Sequence, residues 1–390
     1  LTVREASGKL KGAMDKPCPE PAACGLEGFA DPELEAIAAK VEEGRRLSAE
    51  DGLMLFRTPD LLGLGALANR VREARHGNKT YYNINRHINY SNVCVNTCRF
   101  CAFYRPTADS PGAWTYSLEQ IFNKAVEEMP PGGDELHIVG GLHPDLPYAY
   151  YLEMLRGLKA RLPHVHLKAF TAVEIAYLSK ISGKHVRAVL EDLIEAGLGS
   201  LPGGGAEVLT PSSRREVCGE KLTGKGWLNI HRIAHRLGLK SNTTLLYGHK
   251  ETIEDRVDHL IQLRDLQDET GGFQVFIPLA FHPENTAMSE LPKPSGATDL
   301  RMIAVGRLML DNFAHIKSYW IMVGTKIAQI AQHFGANDLD GTVVEETIYH
   351  MAGATTPQGL SVKELRKLIL EAGRIPVRRD TLYREIPEAA

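Results

Sequence analysis

The stretch KTYYNINRHINYSNVCVNTCRFC, residues 79–101, decides the fold class of this chain. Its first half alternates with period two. Tyr82, Ile84, Arg86, Ile88 and Tyr90 share one face and Tyr81, Asn83, Asn85, His87 and Asn89 the other, which is the pattern of a β-strand. Its second half sets Cys94, Cys98 and Cys101 on one loop immediately after that strand. Beyond it, helix and strand patterns alternate. Ser117-Leu-Glu-Gln120 is a capping box that opens a helix with Ile121, Phe122, Ala125, Val126 and Met129 on one face. Strands are expected at Leu136–Val139, Val165–Phe170, Leu198–Leu201, Leu239–Leu246, Phe273–Leu279 and near His315–Ile321. Between them, helices are expected over Tyr148–Arg161, through Val186–Ile194 to Gly197, and over Trp227–Leu237, Thr252–Leu266 and Leu300–Asn312. Such a run of βα units implies a parallel sheet, because parallel strands need crossover helices. The units are of similar length, which points to an α/β fold with a partial or full (β/α) TIM-like barrel. Its site would lie where strands end and βα loops begin.

The flanks read differently. Residues 1–30 form an irregular leader with Pro17, Pro19, Pro21, Gly25 and Gly28, in which Met14 is a candidate start. Residues 31–78 form an N-terminal helical segment. Asp31-Pro32 opens one helix by cap and first-turn proline, and a second runs from about Asp60 to Arg75 and stops at Gly77. The barrel is expected over 79–323, and a helical C-terminal extension packed on it over 324–390. Composition excludes several classes. With 45 Lys+Arg against 48 Asp+Glu and no basic block, nothing favours a nucleic-acid partner. No apolar run approaches the roughly 20 residues of a membrane span. The first residues lack the apolar core of a signal peptide, so a cytoplasmic protein is expected. Six cysteines in 390 residues are too few for a disulfide scaffold and fit metal binding or chemistry better.

Three thiolates on one loop can converge on a single metal centre, and three ligands leave one vertex of a four-iron cluster free. A ferredoxin cluster would take a fourth cysteine at a different spacing. Tetrahedral zinc, with a histidine such as His87 as fourth ligand, is the competing reading, and three unrelated buried thiols is the third. In His137-Ile-Val-Gly140-Gly141-Leu-His143 the paired glycines suit either a close backbone approach to a ligand or a tight turn. Other strand ends carry polar groups: Lys168, Thr171 and Glu174; Glu207 after a glycine run; His249; and His282. Arg214 is a candidate to grip a carboxylate. Gly63-Leu-Gly65-Ala-Leu-Ala68 matches a dinucleotide fingerprint but lies within a helical pattern, not after a strand. Cys18, Cys24 and Cys218 supply no second cluster and read as free thiols, Cys218 as a buried apolar residue.

The run from Cys94 to Cys101, with Phe100 as the aromatic, resembles the signature C-x3-C-x-aromatic-C of the radical S-adenosylmethionine (SAM) superfamily. The resemblance implies one [4Fe–4S] cluster on Cys94, Cys98 and Cys101, with SAM chelating the fourth iron. It implies that Gly140 and Gly141 receive the methionyl end of SAM beside Phe100. Glu174 and Glu207, each following a strand that ends near the cluster loop, are expected to face the SAM pocket, with Thr171 and Arg214 as further cofactor-side candidates. Further stretches, HIVGGLHPDLP (137–147), KAFTAVEI (168–175), PGGGAE (202–207), LLYGH (245–249) and GANDLDGTVVEE (335–346), resemble the aminofutalosine synthase family of the menaquinone pathway. That family adds the 5′-deoxyadenosyl radical to the vinyl carbon of 3-[(1-carboxyvinyl)oxy]benzoate. Aminofutalosine, methionine and bicarbonate result. Arg86, His87, Lys168, Arg214, His249 and His282 are the candidates for the two substrate carboxylates, and flavodoxin or ferredoxin is the implied reductant. The alternatives are a hydrogen-abstracting relative (dehypoxanthine futalosine cyclase or the deazaflavin FO synthase subunit), an iron–sulfur electron carrier and a zinc-binding module.

Overall fold

In the computed structural model of the protein the described residues are 28–387. The expected leader lies outside them up to residue 27, as do Cys18 and Cys24. Among the described residues the strands are β1 (Lys79–Asn83), β2 (Asn85–Ile88), β3 (Glu135–Ile138), β4 (His166–Ala169), β5 (Ser200–Leu201), β6 (Lys240–Tyr247), β7 (Phe273–Ala280), β8 (His315–Ile316), β9 (Asp338–Gly341) and β10 (Ile375–Arg378). β2 to β8 pair in chain order, each parallel to the next, in one seven-stranded sheet. Crossover helices such as Leu118–Glu127, Tyr148–Arg161 and Ile253–Thr270 cover its outer face. The capping box forms as read: the Ser117 hydroxyl accepts from the Gln120 amide, the Gln120 side chain accepts from the Ser117 amide, and Ile121, Phe122 and Ala125 are buried. The result is a partial (β/α) barrel with β2 and β8 as its edges.

The gap between those edges is spanned by a C-terminal segment. Asp338 bridges to Lys317 beside β8, and Val344 bridges to Arg86 on β2. Ser318 N–H donates to the Asp338 carbonyl at 2.9 Å, and His87 N–H to the Val344 carbonyl at 3.1 Å. The segment follows neither edge as a regular strand. Asp340, Val343 and Glu345 take left-handed φ values of 72°, 47° and 65°, a conformation non-glycine residues adopt at a cost.

Two expectations need correction. The alternating stretch from Tyr82 to Tyr90 is not one strand: it breaks at Ile84, and β1 joins a separate sheet of order β10-β1-β9. Both β1 and β2 are buried on both faces, Asn83 and Asn85 included, so the period does not register the change of partner. The C-terminal stretch is not purely helical either, since it contributes β9 and β10 alongside the helices Ile348–Met351 and Val362–Glu371. In the N-terminal segment the helices Pro32–Glu42 and Leu61–His76 are capped by Asp31 and Gly77. A further helix, Ala49–Arg57, opens on a Ser48–Asp51 capping box that the sequence reading passed over. No helix among the described residues is long and apolar enough to cross a membrane.

Candidate active site

A cavity of about 280 Å³ opens at the C-terminal ends of the barrel strands, and Cys94, Cys98, Phe100 and Cys101 line one end of it. The cysteine loop is tied down by backbone: Cys94 N–H donates to the Arg105 carbonyl at 2.9 Å, Val95 N–H to Leu142 at 3.0 Å and Arg99 N–H to Val217 at 2.9 Å. Burial pushes the Cys98 thiol up to about 12 and raises Cys101 as well. A metal bound there would have to displace those protons. The four described cysteines are all free, and Cys218 is buried beside Cys98 in a surface cleft.

Gly140 and Gly141 line the cavity next to this loop. Their lack of side chain is demanded by the neighbouring backbone. A Cβ on Gly141 would lie 2.2 Å from the Val93 carbonyl oxygen, and one on Gly140 would lie 2.6 Å from the Tyr90 ring. Gly141 N–H donates to the Ser91 carbonyl at 2.7 Å, so the two loops meet main chain to main chain. Thr171 caps the helix Ala172–Ser182, and Glu174 completes the capping box. The Glu174 carboxylate is saturated: Oε1 accepts from the Tyr90 hydroxyl at 2.9 Å and Gly140 N–H at 3.1 Å, and Oε2 from Thr171 N–H and Oγ1 at 2.7 and 2.8 Å. Burial still lifts its pKa above the usual carboxylate range, against those four donors. Glu174 therefore lines the cavity but has its acceptor positions filled by the protein. One of those donors is the Gly140 amide, so the carboxylate is tied to the glycine segment.

Glu207 faces the same space with φ 48° and accepts from Lys221 Nζ at 2.6 Å. Burial draws the Lys221 ammonium down, but Glu207, Cys98 and Cys218 outweigh it and leave the pKa well above the ordinary lysine value. Across the cavity stand His87 and His137, their rings 4.5 Å apart and 31° from parallel. Burial holds both imidazoles below their usual pKa, hence neutral, and His87 Nε2 is buried without a partner. Leu246, Ile277, Leu279, Phe281, Tyr319 and Tyr349 supply an apolar and aromatic wall, with Asn242 and Thr244 as polar points in it.

Four expected site residues do not reach this cavity. Arg86 follows Asn85 and precedes His87 on β2, so its side chain leaves by the opposite face, where it is buried against Glu128 and Glu345. Lys168 is buried beneath the cavity in an ion pair with Glu135 at 2.5 Å. His249 folds back on its own turn, with Nε2 against the Leu246 carbonyl at 3.0 Å. Arg214 spends its guanidinium on the carbonyls of Gly205, Ala206, Val208 and Leu222, buttressing the glycine run from behind. His282 does line the cavity, but both ring nitrogens are engaged, Nε2 with the Met322 carbonyl at 2.9 Å and Nδ1 with Lys293 at 3.2 Å.

Sequence reading missed His137, Lys221, Tyr319, Tyr349, Asp340 and Glu346, all of which line the cavity. The two carboxylates had a signal, since both stand in the stretch 335–346, but nothing marked which of its residues turn inward. Asp340 accepts from Lys317 Nζ at 3.0 Å. Glu346 accepts from the amides of Tyr349 and His350 and pairs with the His350 ring at 2.9 Å.

The three loop thiols suit a multi-iron cluster. They line the same cavity and none is in a disulfide, and Gly140 and Gly141 line it with them. Among the described residues no three His, Cys, Asp or Glu side chains close on a single ion. A cluster asks for more spread than one ion does, because each thiolate bonds its own iron.

Known proteins are similar to the chain along most of its length. Residues 88–263 match the family described as radical SAM superfamily, and residues 270–390 match the CofH/MqnC C-terminal region. An aminodeoxyfutalosine synthase from Thermus thermophilus is 50% identical over 365 residues, covering 93% of this chain and 98% of its own. One from Streptomyces coelicolor is 44% identical over 363 residues, covering 90% and 94%. The crystal structure of methylornithine synthase superposes with a TM-score of 0.70 at 20% identity, over 88% of this chain and 97% of that one, and so shares the fold.

Proposed function

The chain belongs to the radical SAM superfamily, and we propose that it is the enzyme of menaquinone synthesis that joins the adenosyl group of SAM to 3-[(1-carboxyvinyl)oxy]benzoate. Aminofutalosine, methionine and bicarbonate are the products. The observation that carries this reading is the 50% identity to an aminodeoxyfutalosine synthase along 98% of that protein's length.

Bound on the cysteine loop, the cluster and SAM supply the 5′-deoxyadenosyl radical. The chain's own residues have three tasks. Cys94, Cys98 and Cys101 hold three irons at one end of the cavity. Gly140 and Gly141, braced by Glu174, offer backbone to the methionyl end of SAM, and Glu207 and Phe100 flank it. The wall of Leu246, Ile277, Leu279, Phe281, Tyr319 and Tyr349 takes the aryl ring and keeps water out. Orientation there decides whether carbon adds to carbon or hydrogen is abstracted. With Arg86, Lys168, His249 and Arg214 directed elsewhere, the substrate carboxylates fall to neutral donors, the imidazoles of His87 and His137 and the Asn242 amide. The reductant in this reading is a flavodoxin or ferredoxin, approaching the edge of the cysteine loop where Val95, Thr97 and Arg99 are exposed. The compartment is the cytoplasm.

The test is an anaerobic turnover with SAM labelled in its adenosyl carbons. Label recovered in aminofutalosine is the expected result. Label found only in 5′-deoxyadenosine, with the enol ether intact, would move the chain to the hydrogen-abstracting branch.

A further inference from the structure

Lys221 is a cation in an unusual place. Its ammonium lies 2.6 Å from Glu207 and 5.2 Å from the centre of the Phe100 ring, the aromatic of the cysteine motif. The side chains of Lys221 and Glu207 are only 13% and 8% exposed. Lys221 and Cys98 line two spaces in common, the site cavity and the surface cleft behind it. Glu207, which fixes it there, sits in a left-handed conformation at φ 48°. Strain of that kind persists where the surroundings over-determine a residue.

A buried, neutralised ion pair on its own is weak evidence for stability. Here the pair is oriented, with its cation over the motif aromatic, in a cavity that the thiols also line. Three thiolates make a cluster anionic, and each electron added makes it more so. In surroundings of low dielectric even the dipole of an ion pair is weakly screened, so a pair with its cation toward the cluster favours the more negative state.

We propose that Lys221 is a positioning residue for the cluster's charge: held by Glu207 against Phe100 beside Cys98, its ammonium favours the reduced state of an iron–sulfur cluster on this loop and raises its reduction potential. The inference rests on the superfamily's cluster and not on the substrate assigned above, and it survives if that substrate is wrong. The step is a single electron passing from an external donor such as dithionite to the cluster, with no bond made or broken.

The experiment is a redox titration with dithionite, followed by electron paramagnetic resonance, on reconstituted full-length protein without SAM. Iron content is measured on each sample. Lys221→Met keeps the bulk and removes the charge, and its midpoint is expected to fall. A tenfold loss in the reduced-to-oxidised ratio at fixed potential corresponds to about 59 mV for one electron. Lys221→Arg keeps the charge and should titrate close to the parent. Glu207→Gln removes the opposing charge and should move the midpoint upward. Opposite displacements in the Met and Gln variants support the proposal. Unchanged midpoints in both, or displacements of the same sign, overturn it, because a loosened loop would shift both alike. If Lys221→Met fails to retain iron, Glu207→Gln decides alone: a rise supports the proposal and no rise overturns it.

Discussion

Gly141 shows how one missing side chain can hold a site together. Its neighbour is not a ligand but the Val93 carbonyl, 2.2 Å from where a Cβ would stand. The obstacle is main chain and cannot rotate away, so Gly141→Ala has to push the glycine segment off the cysteine loop. Overpacking of this sort costs about 1–3 kcal/mol. We expect a lower midpoint of thermal unfolding and fewer irons per chain after reconstitution. A variant with parental iron content and stability would show that the two loops are less tightly apposed than the structure has them. At this scale the sequence was partly legible. The cysteines and glycines stood out because spacing and dipeptides are local signals. Arg86, Lys168, His249 and Arg214 were misread because a charged residue near a strand end can face either way. Only the register of β2 with β3, or the carbonyls that Arg214 finds, decides which. Lys221 had no signal at all, since its partners Glu207 and Phe100 lie far from it in sequence.

Among elements, the segment from Asp338 to Met351 does what no single strand does, closing the barrel's open side and presenting Asp340, Glu346 and Tyr349 to the cavity. Its helix Ile348–Met351 is too short to stand alone. It is anchored by Glu346, and His350 links that carboxylate, at 2.9 Å, to the Thr356 carbonyl, at 2.7 Å. The bond to Glu346 raises the His350 pKa from 6.5 to about 9. The folded state thus holds this proton more tightly than the unfolded chain does. The stabilisation is complete below pH 6.5 and is lost as the pH rises through about 9. Amide exchange across residues 348–354, corrected for its intrinsic pH dependence, should accelerate over that interval, and His350→Gln should abolish the trend. An identical pH response in that variant would remove His350 from the account. The βα alternation was legible because each unit carries its own period and caps. The split at Ile84 and the bridging segment were not, because pairing partners are chosen across the molecule.

For the whole molecule, the question is what keeps a seven-stranded, open barrel closed. It is fastened by buried charges drawn from distant parts of the chain. Arg379 Nε lies 2.6 Å from Asp338, with the two side chains 2% and 0% exposed, and the guanidinium also stacks 4.1 Å over the Tyr383 ring. Asp338 is the residue that bridges to Lys317 beside β8, and Arg379 N–H donates to the Tyr82 carbonyl of β1 at 2.9 Å. One ion pair therefore joins the C-terminal turn, the small sheet and an edge of the barrel. Removing one member of a buried pair strands the other charge, at a cost of about 3–5 kcal/mol. Arg379→Met should lose that much in urea unfolding and should also weaken SAM binding, since the bridging segment forms one wall of the cavity. The Lys317 ammonium, 3.7 Å from Asp338, is too far to replace the lost partner fully. Adding Asp338→Asn neutralises the stranded carboxylate and keeps its Oδ1, which accepts from Asp340 N–H at 2.7 Å. The double variant should therefore be more stable than Arg379→Met alone. If the single variant loses less than about 1 kcal/mol, the value of an exposed pair, the C-terminal turn rests on the barrel without fastening it, and closure has to come from the main-chain bridges at Lys317 and Arg86.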